Sequence, residues 1–426
     1  MSIVILSTYD SDGSGVFATQ LLHTLQGIGY EAKIICVKST SEDDHIMGIF
    51  DRKPIQHFLY RVKAKFGRFF YQAKSEYAFV DTCSINTKTV LSSDVWPSTC
   101  EMIICTFLSG MLRTSCLFQL SSKYGDPPVM FYGVDMNFLT GGCHYARNCQ
   151  KYLADCSDCP AIAPPAKPFI RKRFSQKYNF VRSIGKHVVI ASSDEYYRQL
   201  VGSKIFAESD VRKVLMLVDD VMYGSNENNR LELKLEYGFG ERTLLLRSSA
   251  ETRKGCKIFT DCIRHLLLSK PEFIHSIDIV AIGDDFIGNQ LGSLGLRFFS
   301  LGYISEEEEL ARLYSVSDVF INTSLADGGP MMLAQSLMSF TPVITTDVGL
   351  ARDLVITGSN GTILQDPISN NFAEAIHEYF ILTDEERRKM RLSARGTALT
   401  LLSKSVYIKE MSAIIETTIS GDSSSL

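Results

Sequence analysis

Residues 318–349, DVFINTSLADGGPMMLAQSLMSFTPVITTDVG, read as a strand, a glycine-containing turn, a short helix and a second strand. Val319, Phe320 and Ile321 form a β-prone apolar run, LADGGP supplies a flexible turn, and MMLAQSLMS has helical composition, with Pro342 ending the helix before VIT. Pro330 suits the first helical position, where a missing N–H costs nothing, and Gly328 and Gly329 let a bulky group approach the backbone. The N-terminus of such a helix attracts anions, phosphate above all. Asp327 stands just before the helix and Gln335 inside it, so two polar side chains bracket the turn. An ordinary polar loop before a core helix accounts for the same residues, and the stretch alone leaves both readings open.

Strand-like runs surround this unit at helix-length intervals: HVVIA (187–191), VLMLV (214–218), TLLLR (243–247), DIVAIG (278–283), RFFSLG (297–302) and GTIL (361–364). An earlier series begins with SIVILS (2–7), the turn TYDSDGSG and a helical run carrying Phe17, Leu21, Leu22 and Leu25. It continues through 32–37, EMIICTFL (101–108) and PVMFYGV (128–134). Strands alternating with helices imply parallel, doubly wound sheets, so the fold class is α/β with two Rossmann-like domains. The spacing places them at 1–185 and 186–400, with a last helix in 401–426. Gly13 and Gly15 fall at the C-terminal end of the first strand, where ligands bind in such folds, although a glycine pair there also serves a plain turn.

At 426 residues, 45% hydrophobic and 22% charged, the chain has the composition of an ordinary globular protein with room for two domains. The first residues lack a basic stretch followed by an apolar core and cleavage site, and no apolar run reaches the roughly 18–20 residues that span a bilayer. A cytoplasmic protein, at most peripheral at the inner membrane, is therefore expected. Eleven cysteines, an odd number, argue for reduced thiols.

Charge is unevenly spread. Residues 1–185 hold 20 Lys/Arg against 15 Asp/Glu, and the remainder 24 against 33. Within the basic part, 52–74 (RKPIQHFLYRVKAKFGRFFYQAK) carries seven Lys/Arg, no acid and many aromatic residues. That is the composition of a helix lying on anionic lipid, and a second cluster at 167–177 (KPFIRKRFSQK) adds to it; a solvated basic face explains both as well. No nucleic-acid-binding motif accompanies the charge, so nucleic acid is not expected as a partner. Cys143, Cys149, Cys156 and Cys159 lie in a Cys-rich insert at 140–160, where they either hold a structural zinc, with His144 as an alternative ligand, or are simply reduced and buried.

Several stretches now line up in one order: the glycine loop after strand one, RKG (253–255), LGYISEEEELARLYSVSDVFINTSLADGGP (301–330) and TPVITTDVG (341–349). This resembles the retaining glycosyltransferases of family 4, with the GT-B fold, most strongly over about 243–366. TGGCHY and the four cysteines are similar to a subgroup that builds bacterial exopolysaccharide, capsule or O-antigen. The resemblance implies two domains facing each other across a cleft, an acceptor domain first and a nucleotide-sugar domain second, with the C-terminal helix packing back on the first.

By the same resemblance, Lys254 with Arg247 or Arg253 neutralises the donor diphosphate, Asp327 meets the donor sugar and Gln335 the ribose. Backbone N–H groups at Gly329, Met331 and Met332 contact sugar and phosphate, Gly328 shares the turn, and Gly13 and Gly15 approach the donor from the first domain. The family has glutamates where Asp327 and Gln335 stand, and an asparagine-glycine turn that is absent here, although Asp219 matches its aspartate. Many relatives also carry a histidine–acid pair at a strand end of the first domain. Here that position reads Val134-Asp135, leaving Asp135 as the candidate catalytic carboxylate without a histidine.

The implied activity is metal-independent, cofactor-free, retaining transfer of a sugar from a UDP- or GDP-sugar to a saccharide or lipid-linked saccharide in cell-surface polysaccharide synthesis. The alternative is a degenerate GT-B sugar-nucleotide-binding partner of another transferase. A GT-B epimerase or phosphorylase is disfavoured, because no pyridoxal-type lysine motif is evident.

Overall fold

The computed structural model describes residues 1–79, 83–329 and 331–420; Pro330 lies outside them. The chain divides into two compact units, Met1–Val214 with Ile408–Leu426, and Leu215–Tyr407.

The first unit is built on seven strands: β1 (Ser2–Ser7), β2 (Glu31–Cys36), β3 (Ile46–Gly48), β4 (Met102–Phe107), β5 (Val129–Gly133), β6 (His187–Ala191) and β7 (Asp210–Lys213). They pair in the order β3-β2-β1-β4-β5-β6-β7, and every pairing is parallel. Both sheet faces are covered, so the strands read as near-continuous apolar runs. Val4, Leu6, Ile103, Cys105 and Phe131 join one core cluster, while Ile3, Ile5, Ile104 and Met130, one residue out of phase, are buried on the opposite face.

The second unit carries β8 (Thr243–Ser248), β9 (Asp278–Gly283), β10 (Phe298–Ser300), β11 (Val319–Asn322), β12 (Val343–Thr346) and β13 (Gly361–Leu364), ordered β10-β9-β8-β11-β12-β13 and again all parallel. Strand alternation divides its core. Leu244, Leu246, Ile279, Val319 and Ile321 pack on one face, and Leu245, Val280, Ile282 and Phe320 on the other.

Two expectations are corrected. The boundary lies at 214/215, not 185/186, because β6 pairs with β5 and β7 with β6, which makes both part of the first sheet. VLMLV (214–218) is buried as expected of a strand but is not one. Its Val214 N–H goes to the Ala191 carbonyl and its Val218 N–H to that of Leu402, at 3.0 Å each, so it is an extended connection. Burial on all sides gives such a connection the composition of a central strand.

The basic stretches fold as helices Pro54–Tyr71 and Lys167–Ser183. Only Tyr71 is buried on the former, while Phe66 and Phe69 are 71% and 78% exposed. Among the described residues, no helix is long and apolar enough to cross a membrane. The last helix, Lys404–Ser420, begins in the second unit, and Ile408 onward groups with the first.

Each sheet reverses its strand order at one place, between β1 and β4 in the first and between β8 and β11 in the second. Loops leaving the carboxyl ends of such strand pairs diverge and form a crevice, the usual ligand position in open α/β sheets.

Candidate functional site

At the second sheet's reversal, β8 leads into a loop ending at Gly255, and β11 into the turn 323–329 before helix Met331–Met338. The two loops are stitched together: Thr323 Oγ1 donates to the Lys254 carbonyl at 2.9 Å, and the Leu325 N–H to that of Arg253 at 2.6 Å. Gly255 has φ +64°, and a Cβ there would overlap the Thr323 carbonyl oxygen, so this contact requires glycine.

The stitching brings Lys254 to Asp327. Their side chains form an ion pair, 12% and 10% exposed, and Arg253 Nη1 stands 3.6 Å from the same carboxylate oxygen. Arg253 Nη1 also donates to the Ala326 carbonyl at 3.4 Å, and its Nε lies 2.7 Å from Glu251. Burial lowers the Lys254 pKa, an effect that the Asp327 charge opposes without cancelling. Burial alone would raise the Asp327 carboxyl; the Lys254 and Arg253 charges outweigh it and hold that group below its ordinary value. Asp327 is therefore ionised at neutral pH.

Arg247, at the end of β8, is exposed, and among the described residues its guanidinium has no hydrogen-bond or ion-pair partner. Its charge is felt at Lys254 and at Asp284. In the turn, Gly328 and Gly329 are half-buried, and the Gly329 N–H donates to Asp327 Oδ1 at 3.4 Å. Met331 and Met332 pack against the core from the helix's first turn. Gln335 is buried and donates from Nε2 to the Tyr223 hydroxyl at 2.7 Å. The structure thus groups Arg247, Arg253, Lys254, Asp327, Gly328 and Gly329 at one switch point, with Gln335 oriented by a tyrosine.

One strand beyond the first sheet's reversal, Asp135 follows β5 and is 7% exposed. One carboxylate oxygen accepts the Asn137 N–H at 2.8 Å, and the other lies 2.6 Å from His144 Nδ1. His144 Nε2 meets Ser109 Oγ at 3.0 Å, and its ring stacks on Phe107 at the end of β4. Thr8, just past β1, donates from Oγ1 to the Phe107 and Ser109 carbonyls, 2.9 Å each. The expectation that Asp135 lacks a histidine is corrected: the turn Met136–Leu139 and the glycines after it reverse the chain, and the Met136 N–H bonds the His144 carbonyl at 3.1 Å. Gly142 has φ +148°, and a Cβ there would press on the Phe79 ring. Buried Asp135, His144 and Ser109 form a polar relay in which the carboxylate orients the imidazole.

Gly13 and Gly15 lie in the first turn of helix Asp12–Gly27. A Cβ at Gly15 would collide with the Asp10 backbone, so helix–loop packing is enough to require that glycine; Gly13 has open space around it. The four insert cysteines line one small cavity with Phe79, Ala146 and Ile170, and all are free thiols. Burial pushes the Cys143 and Cys156 thiols up to about 12 and raises that of Cys159. Among the described residues, no three His, Cys, Asp or Glu side chains are arranged to hold a metal, and His144 is turned to Asp135 instead.

Residues 241–380, the core of the second unit, match the family model described as glycosyl transferases group 1. The whole chain superposes on known GT-B structures. Sucrose-phosphate synthase from Thermosynechococcus elongatus aligns with TM-score 0.68 and 14% identity, over 99% of this chain and 100% of that one. An α,α-trehalose-phosphate synthase (UDP-forming) from Burkholderia vietnamiensis gives 0.67 and 12%, over 99% and 98%. Anabaena HepE in complex with UDP-glucose gives 0.62 and 15%, over 98% and 100%.

The fold is GT-B.

No curated protein matches the sequence. The matched segment contains the candidate donor-site residues of the second unit, from Arg247 to Gln335, while Asp219 precedes it. Sequence reasoning missed Tyr223, Ser109 and the role of His144. Tyr223 is 112 positions from Gln335, and Ser109 is 35 from His144, so no local pattern connects them.

Proposed function

We propose that the protein is a retaining glycosyltransferase that moves a sugar from a UDP- or GDP-sugar to a saccharide or lipid-linked saccharide of a cell-surface polysaccharide. The observation that carries the reading is the convergence of Arg247, Arg253 and Lys254 with Asp327 at the β8/β11 switch point, ahead of helix Met331–Met338. When the bond from sugar C1 to the diphosphate breaks, the leaving group gains negative charge, and preplaced cations and a helix N-terminus stabilise that charge most. Three cations converge there with the Asp327 and Glu251 carboxylates, and Asp284 lies within reach of the Arg247 charge. Arg247 is the readiest to engage phosphate, and Lys254 exchanges part of its bond to Asp327 for a phosphate oxygen. These side chains supply the charge that the reaction needs, so the proposal includes no divalent cation.

In the proposed front-face displacement, the acceptor oxygen bonds C1 on the side from which the diphosphate leaves. The acceptor's proton passes to the departing phosphate oxygen, so no strong protein base is required. Tyr223 occupies the Gln335 amide nitrogen, leaving its carbonyl oxygen as the acceptor for a ribose hydroxyl. The first unit is assigned to the acceptor, with Asp135 positioning His144. HepE was crystallised with UDP, UDP-glucose and glucose, which makes UDP-glucose the first donor to try.

The test is UDP release from UDP-glucose and other UDP- and GDP-sugars by the purified protein, with and without saccharide acceptors, and the anomeric configuration of any product by NMR. Turnover with retained configuration supports the proposal. Tight nucleotide-sugar binding without turnover, even by hydrolysis, would instead establish the degenerate-partner alternative.

A further inference from the structure

The first unit contains a cavity of about 310 Å³ that the donor chemistry does not use. Its apolar wall includes Leu117, Phe131, Phe138, Phe180 and Phe206. Its cations are Arg113, Lys172, Arg173 and Lys177, and none of the described lining residues is an acid. The cations are held in place: Arg113 Nε donates to Ser84 Oγ at 2.7 Å, and the Arg173 guanidinium lies over the Tyr71 ring at 5.0 Å. Lys177 donates to the Asn137 and Thr140 carbonyls at 2.5 and 3.0 Å. Lys172 is exposed.

An aromatic floor under four cations matches an anion attached to an apolar chain, and two arginines among the four favour a phosphate. Phe169 lines the cavity, is half exposed and meets Phe70 edge to face at 5.8 Å. Phe70 belongs to helix Pro54–Tyr71, whose exposed Ile55, Phe58, Phe66 and Phe69 stand among basic residues with no acid. The apolar surface of the cavity therefore continues onto a helix suited to the headgroup layer of an anionic membrane.

We propose that this cavity binds the phosphate of a long-chain lipid phosphate, its first chain segment against the aromatic floor, while helix Pro54–Tyr71 rests on the bilayer that holds the remaining chain. For the ligand's role as acceptor carrier this rests on the transferase reading; the binding itself does not.

The test uses the full chain. Calorimetric titration with farnesyl phosphate is compared with farnesol and with inorganic phosphate, for the native protein and for Lys172→Gln and Arg113→Gln/Lys172→Gln. Binding at least tenfold tighter than either fragment, and a further tenfold or greater loss in the double variant with UDP-glucose affinity unchanged, is expected. The exposed Lys172→Gln alone should fold normally and lose several-fold. Equal affinity for farnesol and farnesyl phosphate, or variants that bind like the native protein, would overturn the assignment. Flotation with phosphatidylglycerol vesicles, with and without added polyprenyl phosphate, separates the sources: retention that the polyprenyl phosphate does not increase counts against the cavity and for a general anionic surface. Loss of UDP-glucose binding with farnesyl phosphate binding intact would sink the transferase reading alone.

Discussion

Replacing Lys254 by methionine, which keeps the stem and removes the charge, probes the donor site most directly. The lysine lies against Asp327, whose side chain is 10% exposed, and removing one partner of a largely buried ion pair costs about 3–5 kcal/mol. Arg253 Nη1, 3.6 Å from the same oxygen, still compensates part of the carboxylate, so the lower end, about 3 kcal/mol of second-unit stability, is expected. A charged hydrogen bond to a diphosphate is worth about 1.5–3 kcal/mol, which predicts UDP binding weakened by roughly 10- to 150-fold. The double variant Lys254→Met/Asp327→Asn separates the two effects. It removes the stranded carboxylate and should regain most of the stability, yet UDP affinity should stay low. Urea denaturation and calorimetric titration with UDP read the two quantities independently. A folded Lys254→Met protein that binds UDP within twofold of the native affinity would refute the assignment of Lys254 to the diphosphate.

Asp318 is buried between Arg230 at 2.5 Å and Lys234 at 2.8 Å, and Asp318→Asn should destabilise the second unit by about 3–5 kcal/mol in urea, because it strands two cations. Burial alone would raise the Asp318 carboxyl, but Arg230 and Lys234 hold it low, as Lys254 and Arg253 do for Asp327. Below the ordinary carboxylate range the unfolded chain binds more protons than the native one, so stability should fall as pH drops through the folded values, and Asp318→Asn should flatten that acid limb. Asp135→Asn should lower kcat by more than tenfold while leaving UDP affinity unchanged, since it removes the group that fixes the His144 tautomer; an unaltered kcat and pH profile would show the relay to be structural only. Gly255→Ala should cost more than about 1–2 kcal/mol of stability, from its left-handed φ and the overlap with Thr323, and should weaken UDP binding by parting the two loops; a thermal melt and a UDP titration check both.

The sequence by itself determined the parallel α/β class, because strands covered on both faces carry apolar runs such as Leu244–Leu246 whatever their neighbours are. It also located the LADGGP turn (325–330) and placed RKG and Asp327 in the resemblance. Local pattern reports which residues are buried, but not what their backbones bond to. Hence VLMLV read as a strand, and β6 was assigned to the wrong sheet, until the ladder partners of each were known. The turn from 318 to 349 showed two polar brackets; only the tertiary structure decided that Asp327 is held by a lysine 73 positions away and Gln335 by a tyrosine 112 away. His144 is the sharpest case. In sequence it was a spare ligand in a cysteine-rich insert, and a reversal of nine residues made it the partner of Asp135. Burial and periodicity are properties of a short window, whereas the charge and tautomer of a buried group are set by the atoms that surround it, which come from the whole chain.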